Sequence, residues 1–183
     1  QVHVCLGAPA CPHAHPDRYA GYVLNTVLGG SMSSRLFQNI REKRGLVYSI
    51  SSGITAYSDA GLLSIYAGTS LESAPEVIRL TREEIRRLCG ERLGGEELRR
   101  AKDHIKGGLV LSLESSGARM SHLARQEIYF GRQLPVDELL GAIEAVGAED
   151  VQRVASDVFG ERLGASVLGS LDGWRPRERE LRL

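Results

Sequence analysis

The sequence predicts an α+β two-layer sandwich, an antiparallel-rich sheet with helices packed on one face. Three observations lead there. Two apolar-alternating runs, residues 47–54 and 62–69, flank Tyr57-Ser58-Asp59-Ala60-Gly61, whose Asp and Gly suit a hairpin turn, so adjacent strands pair antiparallel. Isolated strand-like runs stand near both ends, at 2–7 and 165–168. The segments between repeat apolar residues at helical spacing.

Taken in order, residues 2–7 alternate as a half-buried strand does, and Pro9, Pro12 and Pro16 enforce a loop. Asp17 stands where a helix N-cap belongs, and Tyr19, Tyr22, Val23 and Val27 recur at helical spacing. Gly29-Gly30-Ser31 ends that helix. Ser33 or Ser34 caps a second one through Leu36, Phe37 and Ile40, which Gly45 stops. In the hairpin, period-2 alternation assigns Leu63, Ile65 and Ala67 to the helical layer and Leu62, Ser64 and Tyr66 to the opposite face. Ser73-Ala74-Pro75-Glu76 reads as a capping box with an early proline, opening a helix with Val77, Ile78, Ile85 and Leu88 on one face. After Gly94-Gly95 comes the stripe Leu98, Ala101, Ile105, Leu109, and after Gly117 the stripe Met120, Leu123, Ala124, Ile128. Residues 136–159 make two further helices, split near Gly147. The expected domain runs from 1 to 172, with a polar tail over 173–183 leading away.

Composition narrows the function. A chain of 183 residues suits one domain. The 23 basic and 23 acidic residues cancel, which argues against a nucleic-acid binder. No run approaches the roughly 18 apolar residues of a membrane span. Cys5, Cys11 and Cys89 form no C-x-x-C pair and are odd in number, which fits a reducing compartment, a cytoplasm. Because Gln1 opens inside an apolar run, the chain reads as part of something longer.

Helical zinc peptidases need two histidines three or four positions apart with a glutamate beside them, so that two imidazoles share a face and a carboxylate activates water. Among His3, His13, His15, His104 and His122 neither H-E-x-x-H nor H-x-x-E-H occurs, so no metal site is expected in this chain. Cys11-Pro12-His13-Ala14-His15 reads as a solvated turn rather than a metal clip. Gly29-Gly30-Ser31-Met32-Ser33-Ser34 leads into a helix whose amides suit an anion, but it lacks the Gly-Lys-Ser/Thr ending of a P-loop and does not follow a strand.

The string GGSMSSRLFQNIREKRGLVY, residues 29–48, resembles the second domain of the bacterial, mitochondrial-processing-peptidase-like branch of the pitrilysin/insulinase superfamily. The opening strand, the hairpin, Ile65-Tyr66-Ala67-Gly68-Thr69 and Glu96-Glu97-Leu98 extend the resemblance over about residues 1–160. It implies a processing-peptidase-like metallohydrolase fold. Two such domains would enclose a peptide chamber, with zinc held by an H-x-x-E-H motif in the other, N-terminal domain. It further implies that Arg41 and Tyr48 hold substrate backbone near that metal, Tyr48 as a donor to the scissile carbonyl. The expected partners are that zinc-binding domain, on the same or another chain, and a peptide substrate. A dimer of the full-length protein and a bacterial cytoplasm are also expected. Residue chemistry agrees, since a guanidinium and a phenol both donate to peptide carbonyls. Two other readings stand beside this one: a purely structural or assembly domain of an inactive homologue, and a phosphate-ligand module built on residues 29–34.

Overall fold

The computed structural model describes residues 1–160 and 162–183. Strands β1 (Val2–Ala10), β2 (Val47–Ala56), β3 (Gly61–Thr69) and β4 (Gly164–Gly169) form one sheet in the order β2-β3-β1-β4, every neighbouring pair antiparallel. Helices α1 (Arg18–Leu28), α2 (Ala74–Gly90), α3 (Gly95–Ser112), α4 (Ser116–Phe130), α5 (Val136–Glu144) and α6 (Ala148–Phe159) complete the chain, with a π-helical turn at Phe37–Glu42.

Alternation decides which face of the sheet is covered. Val2, Val4, Leu6 and Ala8 of β1 and Leu63, Ile65 and Ala67 of β3 are all buried, whereas Leu62 is 47% exposed. The faces are therefore those that the hairpin pattern assigns. α6 lies against β1 and α1 against β2, α2 packs on α6, and α3 on α1 and α5. Phe159, Leu24, Leu28, Ile78, Ile85 and Leu88 fill the layer between. No helix among the described residues is long and apolar enough to cross a membrane.

The chain departs from the expected pattern in instructive places. β1 runs on to Ala10, through Pro9, which was expected to break it. Pro9 faces Leu62 of β3, but β4 pairs with β1 only as far as Gly7, so beyond that point β1 is an edge where a missing N–H removes no ladder bond. Asp17 makes no cap bond. Its carboxylate instead receives both Nη atoms of Arg153 on α6, at 2.8 and 2.6 Å. Ser73 is already helical and caps nothing; Ser70 Oγ accepts the Ser73 N–H at 3.2 Å, so the capping side chain sits three residues earlier. Ser34 makes no side-chain cap either, its buried Oγ having no partner among the described residues.

α4 overturns its pattern most clearly. Met120, Leu123 and Ile128 are 67%, 45% and 77% exposed, while the buried residue of this helix is Gln126. The Gln126 amide clamps the backbone of Leu134, accepting its N–H at 2.8 Å and donating to its carbonyl at 3.3 Å. A polar side chain thus anchors α4 by satisfying buried backbone, and the apolar stripe is left outward. The tail, expected to lead away, folds back. Leu163 N–H donates to Leu181 O at 2.8 Å, Arg82 donates to the Arg182 carbonyl, and Trp174, Leu181 and Leu183 lie half-buried against the core.

Candidate functional site

The site is built from the end of α1 onward. At Gly29 the helix passes so close to β2 that a Cβ would stand 2.6 Å from the Ser52 nitrogen; one at Gly30 would stand 2.8 Å from the Asn25 amide. Glycine is required there by close approach. The crossing is sealed by Ser52 N–H to Gly29 O at 3.0 Å and Ser52 Oγ to Asn25 Oδ1 at 2.8 Å. The Gly29 and Gly30 amides both donate to Asn25 O and that of Ser34 donates to Ser31 O. These three amides are engaged inside the loop and do not face a ligand.

The sequence pattern predicts an ordinary helix after this loop; the segment is instead a π-helical turn. Lys43 N–H reaches back five residues to Gln38 O at 3.1 Å. Tertiary bonds hold it wide. Arg35 grips Glu97 of α3 through Nε and Nη2, both at 2.8 Å, and Asn39 Nδ2 donates to buried Glu84 of α2 at 2.9 Å. The Glu97 carboxylate beside Arg35 raises the guanidinium's pKa further, which keeps Arg35 charged. Gly45, at φ +63°, ends the turn with its N–H on Arg41 O at 3.0 Å, a left-handed helix stop.

A second irregularity lies directly opposite. In the β2–β3 pairing Val47 faces Thr69 and Ser49 faces Gly68, so Tyr48 is the extra residue of a β-bulge. Val47 and Ile50 are buried while Tyr48 and Ser49 both face out. Tyr48 is 69% exposed, and its hydroxyl has no partner among the described residues. Arg41 Nε donates to the Tyr48 carbonyl at 3.1 Å, its Nη1 to Glu42 Oε1 at 2.8 Å, and its guanidinium lies 4.7 Å over the Phe37 ring. Nη2 is left without a partner among the described residues, as a free pair of donors. The two residues singled out from the sequence are thus side by side. Phe37 joins them, a residue the sequence reading does not single out although its spacing of four from Arg41 places the two side chains on one helical face.

The histidines do other work. His13 packs on Tyr129 with ring centroids 4.1 Å apart, His3 bonds the Tyr66 hydroxyl at 2.8 Å, and His15 Nδ1 accepts the Asp17 N–H at 3.1 Å. Among the described residues no three His, Cys, Asp or Glu side chains gather as a metal would require.

Residues 1–105 match the family described as the peptidase M16 inactive domain. The chain belongs to that family. Over 171 residues it is 42% identical to an uncharacterized zinc protease of Streptomyces coelicolor, which covers 93% of this chain and 37% of the relative. A solved peptidase M16 inactive domain from Pseudomonas fluorescens superposes with a TM-score of 0.76 at 23% identity, over 86% of this chain and 38% of that one. A chain of complex III from Candida albicans gives 0.84 at 20%, over 98% and 45%, and shows the same fold. This M16 inactive domain spans about two fifths of the length of its zinc-protease relatives.

Proposed function

We propose that this chain is the non-catalytic C-terminal half of a zinc metalloendopeptidase, closing its peptide chamber and supplying Arg41 and Tyr48 to substrate held at the metal of an H-x-x-E-H-bearing partner domain. One observation carries the reading. A π-helical turn and a β-bulge, both of which concentrate at functional sites, meet here and present the free donors of Arg41 and Tyr48 on one exposed edge. Irregular backbone costs hydrogen bonds that regular helix and strand would make, and at this edge it is braced by the Arg35–Glu97 and Asn39–Glu84 locks.

Labour divides between the two domains. Zinc in the partner domain supplies the Lewis acid. Tyr48 donates its hydroxyl proton in a hydrogen bond to the scissile carbonyl oxygen as that oxygen gains negative charge. Arg41 Nη2 binds a neighbouring backbone carbonyl and sets the peptide's register, while Phe37 beneath and Glu42 beside it fix the guanidinium plane. The substrate is an extended peptide or unfolded segment, the assembled protein is a dimer, and its compartment is a bacterial cytoplasm.

Steady-state kinetics of Arg41→Ala in the two-domain protein tests this assignment. Loss of binding shared by ground and transition states raises KM more than it lowers kcat. Unchanged KM and kcat on a peptide substrate, with the fold intact, would leave Arg41 a surface residue.

A further inference from the structure

At the opposite end of α1 from the glycine crossing, α1, α3, α4 and α5 line a half-open cavity of about 250 Å³. Its walls are apolar, with Leu109, Leu139, Ile143 and Phe130 among them. Two guanidiniums line it as well. Arg18 is sandwiched between Tyr19 and Phe130, 4.3 and 4.8 Å from their centroids, and among the described residues donates only to the His15 carbonyl and the Tyr19 hydroxyl. Among the described residues Arg125 makes no hydrogen bond and neither arginine has a carboxylate within 4.0 Å, whereas eleven of the other eighteen arginines do. The nearby acids are taken: Glu138 binds Arg132 at 3.0 and 2.6 Å, and Asp17 binds Arg153. Tyr22 also lines the cavity, with a hydroxyl that bonds no described residue. Both arginines lie close enough to His13 to lower its pKa, beyond the larger effect of burial.

We infer that this cavity is a binding site for a small apolar monocarboxylate, its body among the leucines and its head between Arg18 and Arg125. Size and charge both select that class. An apolar cavity of about 150 Å³ holds benzene, so this one accepts an aryl ring with a short arm or a chain of comparable bulk. Two cations without counter-ions at an apolar opening favour a single planar anion, which a guanidinium fork binds bidentately. A dianion would carry more hydration to shed than so few donors replace. The site uses no residue of the Arg41–Tyr48 edge and stands whether or not that edge binds peptide.

Isothermal titration of the purified protein with 3-phenylpropionate is the direct test, with N-acetyl-phenylalanine as a second arm. Saturable binding of one equivalent is expected. Tighter binding of the first probe identifies a free organic acid, and of the second the C-terminal residue of a peptide. Arg125→Gln, at an exposed position, weakens binding about tenfold, as does replacing the probe with uncharged 3-phenylpropanol. Leu139→Trp, which fills the cavity, removes binding while the melting temperature of Arg125→Gln reports an intact fold. Failure of both acids to saturate overturns the inference, and so does equal affinity for acid and alcohol or wild-type affinity in Arg125→Gln.

Discussion

Arg41 Nε donates to the backbone carbonyl of Tyr48 across 3.1 Å, so the guanidinium that closes the π-helical turn also pins the bulge that throws Tyr48 outward. The two residues form one mechanical unit. Substituting both in the two-domain protein therefore gives kinetic losses that do not add, because Arg41→Ala already loosens the peptide unit that positions the phenol. Additive effects in a double-mutant cycle on kcat/KM would show them acting separately.

The Arg35–Glu97 pair carries the turn's anchorage to α3, with side chains only 18% and 30% exposed. Glu97→Gln should lower stability by about 1–2 kcal/mol, since hydrogen bonds to charged groups contribute more than neutral ones. That is a fall of several degrees in melting temperature for a chain this size. Calorimetry on Glu97→Gln, Arg35→Gln and the double variant gives the coupling energy.

Close approach, rather than flexibility, explains Gly29. Gly29→Ala forces a methyl group to within 2.6 Å of the Ser52 nitrogen, where backbone of β2 and the end of α1 must separate. Overpacking of this kind destabilises by about 1–3 kcal/mol. Thermal melts of Gly29→Ala against wild type read it directly, and an unchanged melting temperature would mean that β2 yields freely.

Acid should loosen the contact of α1 with α6. The Arg153 hydrogen bonds hold the Asp17 carboxyl below its ordinary pKa. A depressed folded-state pKa gives stability that is present above the unfolded value of about 3.9 and lost as pH falls through the lower folded value. Asp17→Asn therefore melts below wild type at pH 7, and the two curves converge in acid once the carboxyl is protonated in both folded and unfolded states. A gap that persisted in acid would point to packing instead.

Much of the fold was legible because it rests on short-range pattern. The alternation of Leu63, Ile65 and Ala67 suffices to orient the sheet, and Gly94-Gly95 and Gly147 mark real helix starts. The adjacency of Arg41 and Tyr48 was legible from the helix end, glycine turn and strand start between them. What escaped depends on partners far along the chain. The π-helical turn is held by Glu84 and Glu97, 45 and 62 residues from their partners, beyond any local window. The exposed stripe of α4 could not be told from a buried one by spacing, because the anchor is a glutamine bonding a loop eight residues on. The bulge did leave a trace: Val47 and Ile50 stand three apart where a regular strand would place its buried residues two apart.

The central claim is that Tyr48 supplies a catalytic donor in trans to the zinc-bearing domain. Tyr48→Phe removes one oxygen from a 69% exposed side chain whose hydroxyl bonds nothing in the described fold, so the melting temperature should not move. In the two-domain protein, kcat on a single peptide should fall by about 10²–10³-fold, the loss typical of one oxyanion donor. Wild-type kcat in Tyr48→Phe, with folding unchanged, would contradict the account and leave Tyr48 a surface residue on a bulged edge strand.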